Sequence, residues 1–276
     1  MLFGGPVIRE IATTGRSEAF ERTVCEIFDA PMQALGMGYG ELYDRLYDHL
    51  CKHYRSEYIY RNSVASLLQR EGRLARGTAM LSELRVGKAK ADLVVIGQTS
   101  SVYEIKTELD NLDRLDRQLS EYLRMFDRVN VLTCERLASR VAKAVTEDVG
   151  VTVLTEKGEM LVLRPALSNI HRVDPAVIFD SLRQSEYVGI IGEVFGEVPT
   201  VPNTRLFREC KSRFVTLDPQ VAHGLMVGAF RQRTPHPKVL GLIERMPRSL
   251  ISAVLTSSLP ARAIARLEAA LLSSPA

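Results

Sequence analysis

The sequence predicts an α/β chain, a sandwich of helices around a mixed sheet, and three observations predict it. Between residues 80 and 163, apolar runs of strand length alternate with turn residues. Between those runs lie segments with leucines and tyrosines at helical spacing. Beyond Arg164-Pro165 the texture changes to helical segments broken by prolines at 175, 199, 202, 219, 235, 237, 247 and 260. Residues 1–40 then read as an N-terminal arm, 41–164 as the α/β core, and 165–276 as a mostly helical C-terminal domain or cap.

In order, the arm carries one amphipathic pattern from Ser17 to Ala30 and a glycine-rich break at 36–40. Leu42, Leu46 and Leu50 share one face of a helix from Glu41 to His53. His49 and His53 lie four apart there, but Cys51 projects away from them, so the spacing reads as a helix surface. A second helix is expected from Ser56 to Gln69, with Ser56 as N-cap. Strands follow at Met80 to Val86, around Asp92 to Ile96, and at Val102 to Lys106. A helix is expected near Asp110 to Phe126, a strand at 129–134, a helix at 136–147, and strands at 149–154 and 160–163. Helix, three strands, helix, strand, helix, strand makes a mixed sheet covered by helices.

Three ionisable residues interrupt the apolar strands. Leu93 to Ile96 and Val102-Tyr103, joined by Gly97-Gln98-Thr99-Ser100-Ser101, form a hairpin. Glu104 and Lys106 are two apart and share one strand face, and Asp92 joins them if the hairpin register is even. Charges on buried strands cost several kcal/mol without partners, on the order expected for unpaired ionised groups. Two facing carboxylates suit a hard cation such as Mg2+ or Mn2+, and a nearby lysine can orient a water and offset phosphate charge. The chemistry implied is metal-assisted phosphodiester hydrolysis.

The order Asp92, hairpin, Glu104-Ile105-Lys106, then a helix with Gln118 and Tyr122 resembles the PD-(D/E)XK nuclease superfamily. The segment Glu57-Tyr58-Ile59-Tyr60-Arg61-Asn62 and the run KADLVVI…VYEIKTELDNLDRL also resemble an uncharacterised bacterial family within it, met in mobile elements and phages. The resemblance implies a restriction-endonuclease-like α-β-β-β-α-β core with a mixed sheet. It makes Asp92 and Glu104 metal ligands and Lys106 the catalytic lysine. Glu83 would be a further catalytic carboxylate, on the preceding strand. Glu57 falls where some relatives place a glutamate on the first core helix and would then be a further metal ligand, though the position also suits the helix dipole. Gln118 and Tyr122 match a Gln-x-x-x-Tyr motif and would hold the nucleic-acid backbone or brace the site. Ala91 stands where the name-giving proline would be.

Charge distribution points the same way. Residues 51–90 hold nine Lys or Arg against three Glu, and residues 201–276 hold eleven against four acidic residues. Clustered positive charge suits a polyanion. Arg73, Arg76, Arg85, Lys88 and Lys90 are candidate phosphate contacts, with DNA expected ahead of RNA on the resemblance. Four scattered cysteines, no secretory segment and no run of membrane-span length predict a cytoplasmic protein without a membrane partner. A homodimer or an operon-encoded protein partner is compatible with the helical C-terminal part. A catalytically silent nucleic-acid-binding or partner-docking protein on the same fold is the alternative.

Overall fold

The computed structural model describes residues 2–74, 77–233, 237–257 and 259–272. The chain is α/β, and it divides into two compact units: Met1–Arg76 with Pro235–Ala276, and the continuous segment Gly77–Thr234. Sequence boundaries at 40 and 164 therefore do not coincide with the packing. The physical reason is contact between distant segments, which local periodicity does not reveal.

In the discontinuous unit, α1 (Gly5–Thr14), α2 (Glu18–Phe28), α3 (Tyr39–His53) and α4 (Glu57–Arg70) come from the first segment. The arm thus holds two helices rather than one, with Ser17 between them. Its Oγ accepts the Phe20 N–H at 3.3 Å and caps α2. Phe3, Phe20, Tyr43 and Tyr58 form an aromatic core, with ring centroids 4.2 Å apart for Phe20 and Tyr43 and 4.7 Å for Phe3 and Tyr58. Tyr58, in the first turn of α4, donates to the Ser249 carbonyl, while the Asn62 amide donates to Arg248 O at 2.8 Å and accepts from Ser252 N at 2.9 Å. These bonds make the helix expected at Ser56–Gln69 part of this unit.

The continuous unit holds β1 (Ala79–Val86), β2 (Ala89–Ile96), β3 (Ser100–Lys106), α5 (Leu115–Leu123), β4 (Arg128–Cys134), α6 (Glu135–Ala144), β5 (Gly150–Leu154) and β6 (Met160–Arg164). It continues through α7 (Pro175–Asp180), α8 (Gln184–Phe195), α9 (Asn203–Phe214) and α10 (Pro219–Arg231). The strands form one six-stranded mixed sheet in the order β1-β2-β3-β4-β5-β6. Tight turns make β1, β2 and β3 antiparallel, whereas α5 and α6 serve as the crossovers that allow β3, β4 and β5 to run parallel. β5 is buried along its whole length, as a covered parallel strand requires. The chain after α10 returns to the discontinuous unit as α11 (Pro237–Ile243), α12 (Ile251–Leu255) and α13 (Ala261–Leu272). The expected C-terminal domain is therefore shared between the two units.

A buried polar network fixes α10 to the start of β3. Asp127 accepts from Thr99 Oγ1 at 2.8 Å, from Ser168 Oγ and from the Asn169 backbone N–H. Burial alone would raise its carboxyl, but the hydroxyls of Ser168 and Thr99, with Arg128, hold it below the ordinary value. Asp127 N–H donates to Ser100 Oγ at 3.1 Å, and Ser100 Oγ lies 2.7 Å from His223 Nε2. A hydroxyl carries one proton and two lone pairs, so Ser100 either donates to Nε2 or accepts from it, according to the His223 tautomer. Burial pushes His223 below its ordinary value, and the Asp127 charge offsets only part of this. Such a group contributes stability fully above its unfolded pKa of about 6.5, and the contribution is lost as pH falls through the depressed folded value. Denaturant melts between pH 8 and 5 are expected to show the midpoint falling below about pH 6.5, and His223→Gln is expected to flatten that decline.

Candidate active site

The site is built where the hairpin of β2 and β3 opens. Backbone pairing runs from Ile96↔Ser100 to Leu93↔Tyr103, and one further step sets Asp92 opposite Glu104. The register is even, so the two carboxylates and Lys106 lie on one face. Where the pairing ends, the Asp92 side chain substitutes for backbone: its Oδ2 accepts the Ile105 N–H at 2.8 Å. Parallel pairing with β4 holds Glu104 and Lys106 beside Val131 and Thr133. The Thr133 hydroxyl donates to the Lys106 carbonyl at 2.8 Å.

Glu104 is 1% exposed and Lys106 8%. Such burial demands compensation, and the ammonium supplies it. Lys106 Nζ donates to Glu104 Oε1 at 2.8 Å and to Gln118 Oε1 at 3.1 Å. Gln118 and Tyr122 stand one turn apart on α5, on the same face. The Tyr122 hydroxyl lies 2.7 Å from Glu104 Oε2 and 2.9 Å from the Lys90 carbonyl oxygen. Burial, then the charge of Glu104 and the hydrogen bond to it, push the Tyr122 phenol far above its ordinary value, so it remains a donor. Tyr122→Phe is expected to cost about 1–3 kcal/mol in urea melts, the range for leaving buried acceptors unpaired.

Asp92, Glu104, Ile105, Lys106 and Gln118 line a cleft of about 490 Å3 together with Leu109, Asp110, Asn111, Asp113 and Arg114 from the loop between β3 and α5. Carboxylate oxygens are the donors a hard cation selects. One hydrogen bond to each oxygen of Glu104 leaves further lone pairs on that carboxylate. Among the described residues no group of three His, Cys, Asp or Glu converges on one point. A cation on two carboxylates would complete its shell with water or substrate oxygens, as Mg2+ commonly does. The donor set fits such an ion.

The other candidates fall elsewhere. Glu83 lies between the pairs Ser82↔Leu93 and Leu84↔Ala91, but its φ of 58° takes it out of regular strand geometry. Its carboxylate meets Lys90 Nζ at 2.8 Å with both side chains 61% exposed. It is a surface ion pair and does not line the cleft, which corrects the catalytic role expected of it. Glu57 begins α4 in the discontinuous unit and pairs with Arg61 at 3.4 Å, so it is not among the cleft-lining carboxylates. Tyr122 is 0% exposed and braces Glu104 instead of touching nucleic acid. Arg73 belongs to the discontinuous unit and lies 3.6 Å from Glu71, while Arg76 falls outside the described residues. Arg85, Lys88 and Lys90 are exposed on the hairpin of β1 and β2. At its tip, Gly87 has φ +54°, a left-handed conformation that favours glycine. Sequence reasoning did not single out Leu109, Asp113 or Arg114. Their only signal was position in the short segment between the Glu-x-Lys strand and the next helix.

Among the described residues no helix is long and apolar enough to cross a membrane. The family described as Bacteriophage P4 protein cII matches residues 51–213. "Protein cII" of Enterobacteria phage P4 is 34% identical over 86 residues, which cover 30% of this chain and 32% of that protein. The chain thus spans about a third of that relative's length. A solved structure described as SPO1766 protein of unknown function from Silicibacter pomeroyi aligns with a TM-score of 0.34 and 15% identity, over 52% of this chain and 94% of its own. With the family matching more than half of its residues, the chain belongs to the bacteriophage P4 protein cII family.

Proposed function

We propose that the chain is a divalent-metal-dependent nuclease of restriction-endonuclease-like fold, hydrolysing phosphodiester bonds, of DNA ahead of RNA, in a cytoplasmic phage or mobile-element setting. The observation that carries this reading is the meeting of Asp92, Glu104 and Lys106 in one polar cleft. Asp92 and Glu104 would hold the ion, which supplies charge stabilisation at the phosphate and lowers the pKa of water. Tyr122 and Lys106 fix the Glu104 carboxylate, so its orientation is set before substrate arrives. Lys106, at the cleft wall and shared with Gln118, is placed to orient a water and to offset charge on the phosphate. Arg85, Lys88 and Lys90 offer phosphate contacts that position the polymer without reading its bases.

The alternative has an observation of its own: both Glu104 oxygens are occupied by internal donors, as in a site retained for structure. Cleavage of supercoiled plasmid, linear duplex, single-stranded DNA and RNA, each with Mg2+, Mn2+ or EDTA, separates the two. Metal-dependent cutting that disappears in Glu104→Gln and in Lys106→Ala supports the nuclease. Salt-sensitive binding without cutting, and without a Mn2+-induced rise in melting temperature, supports the silent binding protein.

A further inference from the structure

β6 stands at one end of the sheet order, so its outer edge has no neighbouring strand. Its side chains are uncovered as well. Leu161, Val162 and Leu163 are 52%, 59% and 48% exposed, and consecutive strand residues point to opposite faces, so neither face of β6 is covered there. A single exposed apolar residue is ordinary, whereas three in a row on an unpaired edge form a template for a further strand. Edges that stay solitary are commonly blunted by lysine or by an inward-pointing charge, and Met160 to Leu163 carry no charged residue.

The hairpin fixes which backbone groups face outward. Thr155 N–H donates to Glu159 O at 2.9 Å, which makes these two a hydrogen-bonded pair. Such pairs alternate along an antiparallel ladder, and the register continues through Leu154↔Met160, Val153↔Leu161 and Thr152↔Val162. Leu161 therefore bonds to Val153, while Met160 and Val162 turn their N–H and C=O groups away from β5. Beyond Val162 the register shifts at a bulge, which limits the regular edge to this short stretch.

Charge decides how a partner strand lies. The turn before β6 holds Glu156 and Glu159 against Lys157, and the far end of the strand holds Arg164. The Arg164 guanidinium donates to the Val149 and Thr146 carbonyls at 3.0 and 3.1 Å, neutral groups that leave its positive charge in place. Antiparallel pairing of two copies brings each acidic turn to the other copy's arginine, whereas parallel pairing brings like to like.

We propose that β6 is a dimerisation edge, at which a second copy of this chain adds its own β6 antiparallel about a twofold axis through Leu161. Met160 of each copy then pairs with Val162 of the other, so the outward N–H and C=O groups of both residues are matched. The two Leu161 side chains meet on the axis in a non-hydrogen-bonded pair, where side chains approach most closely. Two six-stranded sheets become one continuous sheet. The strand is short, so the interface is small and the dimer dissociates on dilution. β6 contributes no residue to the lining of the cleft, and the proposal stands apart from the nuclease reading.

Sedimentation velocity of the full chain over a wide range of concentration is the test. The native protein is expected to pass from the mass of one chain towards twice that mass as concentration rises. Leu161→Lys and Leu161→Glu, each alone, are expected to stay monomeric, because like charges then face each other across the axis. Mixed in equal amounts they are expected to sediment as a dimer again, since a twofold axis through this position sets lysine against glutamate. Leu161 is half exposed, so neither variant is expected to lower the melting temperature of dilute protein. Amide exchange at Met160 and Val162 is expected to slow with concentration in the native protein and not in Leu161→Lys. A native protein that is monomeric at every concentration overturns the proposal, and leaves the edge to a strand of some other protein. A dimer that both single variants retain, a mixture that fails to re-form one, or exchange in β6 that ignores concentration overturns it equally.

Discussion

Lys106→Ala is expected to lower metal-dependent cleavage by about a hundredfold to ten-thousandfold, the range for losing a group that handles a proton in the transition state. It is also expected to destabilise the fold by about 3–5 kcal/mol, the cost of removing one partner of a buried ion pair. The second effect follows from burial, since Glu104 is 1% exposed and Lys106 Nζ is 2.8 Å from its Oε1. The two losses separate in the double variant. Adding Glu104→Gln removes the stranded carboxylate, so urea melts should recover much of the stability while plasmid cleavage stays absent. If the double variant melts no higher than Lys106→Ala, the pair is not the main source of the destabilisation.

The second large effect lies in the helical part of the same unit. Arg233 Nη2 and Nε donate to the two oxygens of Glu186 at 2.6 and 2.7 Å, with the side chains 8% and 13% exposed. The guanidinium also stacks 3.8 Å from the Phe230 ring centroid and donates to Ser181 O at 3.1 Å. Glu186 in turn accepts the Arg183 N–H at 2.7 Å and closes the first turn of α8. Arg233→Ala is expected to cost about 3–5 kcal/mol by denaturant melts, for it leaves that carboxylate buried and unpaired. Arg233→Lys should recover only part, because an ammonium lacks the two-pronged fork and the flat face. Burial would raise the Glu186 carboxyl, but Arg233 and the Arg183 N–H hold it below the ordinary value. Its contribution is therefore full above about pH 4.3, the unperturbed glutamate value, and is lost as pH falls through the depressed one. A melting series from pH 7 to 3 should show that acid decline in the native protein and not in Arg233→Ala.

The sheet was largely readable in the sequence because its signals are local. Alternating apolar residues, the Gly97 to Ser101 turn and the leucine spacing around Gln118 each report on neighbours a few residues away. That is why the strands found at 79–86, 100–106 and 128–134 lie so near those expected. The division of the chain was not readable. Tyr58 finds its acceptor on Ser249, 191 residues away, and Asn62 its partners on Arg248 and Ser252, contacts that no periodicity encodes.

The candidate site shows the same contrast. Spacing put Asp92, Glu104 and Lys106 on one face, conditional on a register that the structure supplies. Glu83 was misjudged because strand propensity carries no sign of a single positive φ. Tyr122 could face either way on its helix, and only packing turns its hydroxyl onto Glu104. Leu109 gave no signal because an isolated leucine in a polar loop has no pattern.

The discontinuous unit also sets an order of assembly. All strands of the sheet and both crossover helices lie within Gly77–Thr234, so the sheet can close as soon as that stretch has left the ribosome. The aromatic helices of the first segment cannot finish in the same way. α1 packs on α13 and α4 on α12, and those partners are synthesised only after the whole sheet. Until then the Tyr58 hydroxyl lacks its acceptor at Ser249 and Asn62 its partners at Arg248 and Ser252, while the sheet is free to form.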